Sequence, residues 1–462
     1  MSFGKSRIKS SVVPADVHKT LSKHMLVDGF PYVLDLDKSH GCYLVDKATG
    51  REYLDFFTFF ASNALGHNHP GLQEKNFRKR IGEIALTKPS NSDLYTVEMA
   101  EFVDTFARVA VPPGLLHLFF IDGGALAVEN ALKAAFDWKV RKNFARGYKE
   151  EKGHQVIHFQ QAFHGRTGYT MSLTNTDPAK TNYYPKFRWP RIENPKIVFP
   201  LEKHLDEVAA AEKRALAAIH RAFDENKDDI AAIIIEPIQG EGGDNHFRPE
   251  FFRELRRVAD EREAILIFDE VQTGVGMTGK MWCHQHFGVE PDILAFGKKT
   301  QICGIMSSDR INDVDSVFKV SSRINSTWGG NLVDMVRAKR IFEIIEEDGL
   351  VANAAAMGEI LLNHLTELER RYPALVSNAR GRGLFCSFDL PDGPIRDGVL
   401  AAVQDHGLLV LKCGVKTIRF RPPLNVKKDE LDKGAAILDE AIKKYAAGAA
   451  APEGASGVKQ TK

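Results

Sequence analysis

The chain has 462 residues, with 62 Lys and Arg set against 61 Asp and Glu, a net charge of +1. That balance excludes binding to nucleic acid or an anionic membrane through net charge, and 44% hydrophobic with 27% charged residues excludes a disordered chain. Five scattered cysteines (Cys42, Cys283, Cys303, Cys386, Cys413) form no Cys-x-x-Cys pair, the start MSFGKSRIKSSVVPADVHK has no apolar signal core, and no apolar run nears the ~20 residues of a membrane span, so a cytoplasmic enzyme is expected.

In chain order, YVLDLDKSHGCYLVD reads as a hairpin with Gly41 near its turn. HLFFI at 117–121 reads as a strand, and 125–141 as a helix with Leu126, Val128, Leu132, Ala135 and Phe136 on one stripe. Further strands follow at VIHF (156–159), IAAIII (230–235), AILIF (264–268) and DILAF (292–296), with helices over 201–223 and 249–262. These apolar runs do not alternate with polar residues, as expected of a parallel sheet covered on both faces. After about 330 the pattern changes to helices over 332–348, 352–371 and 429–446, with LFCSFDL and TIRFRPP as strands of a smaller α+β unit.

Three local patterns match familiar motifs and are set aside. GVGMTG at 274–279 is a literal G-x-G-x-x-G, but Asp269 to Thr273 separate it from the strand and no amphipathic helix follows. GVGMTGK also opens like a phosphate loop, yet Met281 stands where Ser or Thr must hold Mg²⁺. His67 and His69, or Cys283, His284 and His286, lack a second cluster to complete a metal site.

Four other features fit one another. In FFIDGGALAVENALK a strand runs through Gly123-Gly124 straight into a helix, whose free N–H groups and positive dipole end suit a phosphate. Asp269 ends the strand AILIFDE, where α/β sheets place their ligands, and can keep a heterocycle nitrogen protonated. Lys298-Lys299 follow DILAFG: one can form a Schiff base with an aldehyde cofactor, and the other is expected to be a solvated strand-end lysine. Arg166, Arg419 and Glu241 can clamp or neutralise carboxylates. Together they describe pyridoxal phosphate chemistry.

On IIEPIQGEGG, FDEVQTGVGMTGKMW and DILAFGKK, in order and spacing, the chain resembles the class III (ω-amino-acid) aminotransferases, over roughly 30 to 445. GGALAVENALKAAFDWK, QAFHGRTGYTMSLTNT, FGKKTQICGIM and NSTWGGN are similar to the subgroup that acts on the ε-amino group of lysine. Two departures from the broader family, Gly123-Gly124-Ala125-Leu126-Ala127 in place of a serine-bearing cradle and KTQICG in place of a glycine-rich run, count against ornithine and 4-aminobutyrate as donors. The resemblance implies an α/β chain of pyridoxal-phosphate fold type I, with a mostly parallel central sheet flanked by helices and a smaller α+β domain. The expected divisions are an arm and hairpin (1–54), a large cofactor domain (55–330), a small domain (331–446) and a disordered tail (447–462).

The same resemblance implies the roles. Lys298 is the Schiff-base and proton-shuttling lysine, and Asp269 holds the pyridine nitrogen protonated. Gln272 donates to the ring hydroxyl oxygen, Phe163 stacks on the ring, and Gly124 and Ala125 give backbone N–H groups to the phosphate. Thr327 reaches the phosphate of the neighbouring subunit, making a homodimer the catalytic unit. Arg166 holds the distal carboxylate of L-lysine, with Asn325 on its α-amino side. Glu241 neutralises Arg419 while lysine is bound and swings aside when 2-oxoglutarate brings a second carboxylate. The expected products are 2-aminoadipate 6-semialdehyde, which cyclises, and glutamate. The competing readings are another ω-amino donor (ornithine, 4-aminobutyrate or a diaminobutyrate), an aminomutase or decarboxylase, and a non-catalytic or nucleotide-binding protein.

Overall fold

The computed structural model describes residues 12–449. Its largest sheet has seven strands: β1 (His117–Ile121), β2 (Gln155–Phe159), β3 (Arg191–Ile192), β4 (Ile230–Ile235), β5 (Ile265–Asp269), β6 (Ile293–Phe296) and β7 (Cys303–Ser307). Their spatial order is β1-β7-β6-β5-β4-β2-β3. All pairs are parallel except those of β7, which runs against both β6 and β1. The expected strands of this sheet are all present, and the additions are β3, only two residues long, and β7. The apolar core of β7 is only Ile305 and Met306, too short to stand out, and the short connection 297–302 suffices because the pairing is antiparallel.

The absence of polar alternation has a direct structural counterpart. Ile234, Ile265, Ile267, Ile293, Ala295 and Ile305 point into one apolar cluster with Val128, Leu132, Ala135 and Trp138 of helix α1 (Gly124–Ala145). Their sheet neighbours Ile233, Ile235, Leu266, Phe268, Leu294 and Phe296 enter the opposite cluster with Phe102, Phe106, Phe252 and Phe342. Successive side chains thus bury on both faces, at roughly 1.5–3 kcal/mol for each large apolar group. Helices α2 (Leu201–Glu225) and α3 (Pro249–Glu261) occupy the connections read as helical.

The N-terminal hairpin differs from expectation. Its strands are Tyr43–Val45 and Glu52–Asp55, while residues before Gly41 contribute only the isolated bridges Leu34↔Asp46 and His40↔Tyr43. The reason is local. Asp35 Oδ1 accepts from the N–H groups of Asp37 and Lys38, and Asp46 Oδ1 from Val33 and Ala48, turn-forming bonds that compete with a ladder.

Glu52–Asp55 also pairs in parallel with Leu408–Leu409, so the two ends of the chain share a sheet. Strands Ser377–Arg382, Phe385–Asp389, Thr417–Phe420 and Leu411–Cys413 form a further four-stranded sheet beside the helices Leu332–Glu347, Leu350–Arg371 and Lys428–Ala449. The last helix runs to Ala449, three residues into the expected 447–462 tail, and residues 450–462 and 1–11 lie outside the described residues. Among the described residues, no helix is long and apolar enough to cross a membrane.

Candidate active site

The carboxyl ends of β1, β2, β4, β5 and β6 open on one cavity of about 720 Å³. This is the crevice where open α/β sheets take ligands. At the end of β1, Gly123 adopts φ +100°, a conformation that favours glycine, and α1 begins at Gly124. The first intrahelical bond runs from Ala127 N to Gly123 O at 3.0 Å, which leaves the amides of Gly124 and Ala125 without helical partners at the positive end of α1. A Cβ at Gly124 would lie 3.0 Å from Val271 Cγ1, so the tight approach of the two loops also depends on glycine.

Asp269, the last residue of β5, is buried. Its Oδ2 lies 2.8 Å from His164 Nδ1, and its Oδ1 accepts from Val271 N at 3.1 Å. An ionised carboxylate can only accept, so His164 Nδ1 carries the proton of this bond. Behind them, Glu236 at the end of β4 accepts from Phe163 N at 2.9 Å and Gly240 N at 3.1 Å. Burial, reinforced by the charge on Asp269, pushes the Glu236 carboxyl up to about 7, with His164 acting the other way.

The two lysines after β6 separate cleanly. Lys298 lines the cavity with its backbone in the left-handed region (φ +54°), a conformation that costs a non-glycine residue about 1–2 kcal/mol. Burial lowers the pKa of its amine, and the charge of Arg419 adds to this, against the pull of Asp269, Glu236 and Glu241. Lys299 is not solvated, contrary to expectation. It is fully buried, and its Nζ donates to Gln272 O at 2.8 Å and Ala61 O at 3.2 Å. A buried ammonium needs such acceptors, and doublet spacing could not reveal which carbonyls the fold would bring.

Gln272 lines the cavity with its side-chain oxygen turned away. That oxygen accepts from Arg421 Nε (3.2 Å) and Nη2 (3.0 Å), and Arg421 in turn makes a two-pronged pair with Asp244 at 3.0 and 2.6 Å. Phe163 and Arg166 come from the loop after β2 and line the same cavity. Arg166 is exposed and makes no hydrogen bond or ion pair among the described residues. Arg419 is 1% exposed, and only its Nη2 is bonded, to Glu241 Oε2 at 2.7 Å, leaving Nε and Nη1 unpartnered. Glu241 Oε1 accepts from Lys180 Nζ. Although burial alone would raise it, Arg419 and Lys180 hold the Glu241 carboxyl below its usual range.

The structure does not bring Asn325 and Thr327 into this cavity. Both are exposed on a segment docked onto residues 88–92: Asn91 N donates to Trp328 O at 3.2 Å, and Lys88 Nζ stands 3.7 Å over the Trp328 ring. Of the histidines weighed as metal ligands, His67 pairs with Asp55 and His284 with Glu270, both at 2.9 Å, and His286 Nε2 lies 3.0 Å from the Thr278 carbonyl oxygen. The GVGMTG run lies in turns and is followed by a single short turn of 3-10 helix, Cys283–His286.

Sequence reasoning missed His164, Glu236, Lys180, Asp244 and Arg421. Four of them sit inside motifs already singled out: His164 in AFHGRTG, Glu236 and Asp244 at the two ends of EPIQGEGGD around Glu241, and Arg421 in TIRFRPP, two residues from Arg419. Lys180 lies on the one-turn helix Pro178–Thr181, outside every motif singled out, and only the tertiary fold places it beside Glu241.

A family model described as Aminotransferase class-III matches residues 26–442. The chain is 54% identical over 433 residues to an L-lysine-epsilon aminotransferase of Mycobacterium tuberculosis, covering 93% of this chain and 96% of that one. It is 49% identical over 430 residues to the protein of the same description from Streptomyces clavuligerus, covering 92% and 94%. Among solved structures, a lysine aminotransferase from M. tuberculosis in the internal aldimine form superposes with a TM-score of 0.92 at 53% identity, over 94% of this chain and 100% of that one.

Proposed function

The chain belongs to the class III aminotransferases, of pyridoxal-phosphate fold type I, and on that premise we propose that it moves the ε-amino group of L-lysine to 2-oxoglutarate. The products are 2-aminoadipate 6-semialdehyde, whose α-amino group closes on the new aldehyde to give piperideine-6-carboxylate, and L-glutamate. Identity to the L-lysine-epsilon aminotransferases supports lysine in particular, and the observation that carries an ω-amino donor over an α-amino one is Glu241 seated on the buried guanidinium of Arg419. An arginine that would otherwise demand a carboxylate beside the reacting carbon is neutralised, and the ε-carbon of lysine bears none.

The family's cofactor, pyridoxal 5′-phosphate, fits the cavity by the chemistry of the groups present. There are amides without helical partners at a helix N-terminus, a buried carboxylate, and an amine whose pKa burial lowers. When bound, it supplies an aldehyde that takes up an amino group and a ring that draws electrons from the bonds of the carbon bearing it. Gly124 and Ala125 would hold its phosphate, Phe163 would pack against its ring, and Gln272 would donate its amide N–H to the ring oxygen. Lys298 would hold the aldehyde carbon.

The chain's own residues then divide the work. Asp269 would keep a proton on the ring nitrogen, and His164 orients that carboxylate. Lys298 Nζ would take the proton from the substrate carbon that carries the amine and give it to the carbon of the cofactor that had been the aldehyde. Arg166 receives the distal carboxylate of lysine at the cavity rim. With 2-oxoglutarate, Arg419 receives the α-carboxylate on Nε and Nη1 as Glu241 moves off Nη2. We place Asn325 and Thr327 in the neighbouring subunit's site of a cytoplasmic homodimer, because their segment is exposed and lies outside this chain's own cavity. We also assign 55–330 to a large cofactor domain, and 1–54 with 331–446 to a smaller one.

A panel of amine donors with 2-oxoglutarate tests the reading, with stoichiometric glutamate as the readout. Lysine should turn over fastest and yield the cyclised product. Faster turnover of ornithine or 4-aminobutyrate would remove lysine as the substrate, and transformation of lysine without glutamate would point to a mutase or decarboxylase.

A further inference from the structure

Glu241 is held from two sides. Its Oε2 accepts from Arg419 and its Oε1 from Lys180, one cation to each oxygen. Lys180 has no other ion pair among the described residues, and its Nζ stands 5.6 Å from the centre of the Phe163 ring. It is carried on a one-turn helix, Pro178–Thr181, that Asp177 caps by accepting from Ala179 N at 2.9 Å. The lysine is thus held at the cavity edge and aimed at one carboxylate.

We propose that Lys180 is a positioning residue for Glu241, holding its carboxylate when a substrate carboxylate displaces it from Arg419, and so favouring a dicarboxylate 2-oxo acid as the amino acceptor. The inference rests on the reading of Glu241 and Arg419 given above. A carboxylate on a single cation would lose its only partner on leaving Arg419, while still half-buried, and that loss would oppose entry of the acceptor. Bridged between two cations, Glu241 keeps Lys180 throughout, and the open Nε and Nη1 of Arg419 let the incoming carboxylate begin to bind before Glu241 has gone. The exchange becomes a change of partner for one oxygen rather than the exposure of an unpaired buried charge.

The test uses the holoenzyme with Lys180→Gln and Lys180→Arg. Glutarate, a five-carbon dicarboxylate without a reactive carbonyl, serves as the binding probe in calorimetry, and the lysine and 2-oxoglutarate half-reactions are followed separately. Lys180→Gln should weaken glutarate roughly fivefold and raise the lysine-to-2-oxoglutarate ratio of kcat/KM by a similar factor, the size expected of a partly exposed ion pair. Lys180→Arg should restore both. Unchanged glutarate binding, or equal losses in the two half-reactions, would overturn the proposal. The same loss of glutarate affinity in a Glu241→Gln background would also overturn it, since Lys180 would then act on the ligand directly, while the reading of Glu241 would stand. If Glu241→Gln by itself left the ratio of half-reactions unchanged, that reading would fall, and the role of Lys180 with it.

Discussion

Arg421 fixes which way Gln272 faces. Two of its guanidinium nitrogens donate to the Gln272 side-chain oxygen, at 3.2 and 3.0 Å, which leaves the amide nitrogen as the end available to the cavity. Asp244 holds Arg421 in turn, and both charges are fully buried. Removing one member of such a pair strands the other. Arg421→Met should therefore cost about 3–5 kcal/mol in denaturant unfolding, and Arg421→Met with Asp244→Leu should recover most of it. A double variant as unstable as the single one would show that the pair itself is not what Arg421 contributes.

The lysine doublet gives a second prediction. Lys298→Ala should abolish the visible absorption of cofactor bound covalently to the protein. Lys299→Met should keep that band but lower stability by about 1–3 kcal/mol for each buried carbonyl, of Ala61 and Gln272, left without its donor. Spectra with and without borohydride reduction, beside melting curves, separate the two. A band that survived Lys298→Ala would transfer the covalent role to Lys299.

How much of this was legible follows the range of each interaction. Strands β1, β4, β5 and β6 were readable because burial on both faces imposes unbroken apolar runs, and Asp269 and Lys298 because they punctuate the ends of those runs. Strand β7 was not, because two apolar residues do not make a pattern. The hairpin reading failed where Asp35 and Asp46 turned the backbone toward their own side chains. His164, Asp244 and Lys180 act across 105, 177 and 61 residues of sequence respectively. No local spacing encodes a partner at that separation.

The Glu236 carboxyl should leave a signature in the pH dependence of stability. Its pKa is raised from 4.5 to about 7 in the folded, cofactor-free protein. Between those values the native state keeps a proton that the unfolded chain has lost, so this group's contribution falls as pH rises through the window, by about 1.4 kcal/mol per pH unit. Glu236→Gln cannot titrate. The stability of the wild type relative to this variant should therefore decline from pH 4.5 to 7 and then level off. A difference that stayed flat over that window would mean the carboxyl is already ionised in the folded protein.

Glu241→Gln should distinguish the two halves of the reaction. The amide can still accept from Arg419 but leaves its charge uncompensated when lysine is bound, so the lysine half-reaction should slow by on the order of tenfold or more. The 2-oxoglutarate half-reaction, in which the substrate itself neutralises Arg419, should change far less. Single-turnover measurements of each half decide it. Equal slowing of both would end the idea that Glu241 alternates.

Thr327 offers the clearest test of the subunit arrangement, because hybrids answer it by counting intact sites. Its segment is docked on residues 88–92 and exposed, away from this chain's own cavity. Consider dimers in which one chain carries Lys298→Ala and the other Thr327→Ala. If Thr327 serves the neighbouring site, the chain with an intact Lys298 receives its threonine from the Lys298→Ala partner. Each hybrid then contains one wild-type site and should show about half the wild-type kcat. If Thr327 served its own chain, neither site would be intact, and the hybrid would be no more active than the Thr327→Ala homodimer. Differently tagged chains purified as hybrids allow the measurement, and Asn325→Ala paired with Lys298→Ala in the same way should behave alike, since it lies two residues away on the same exposed segment.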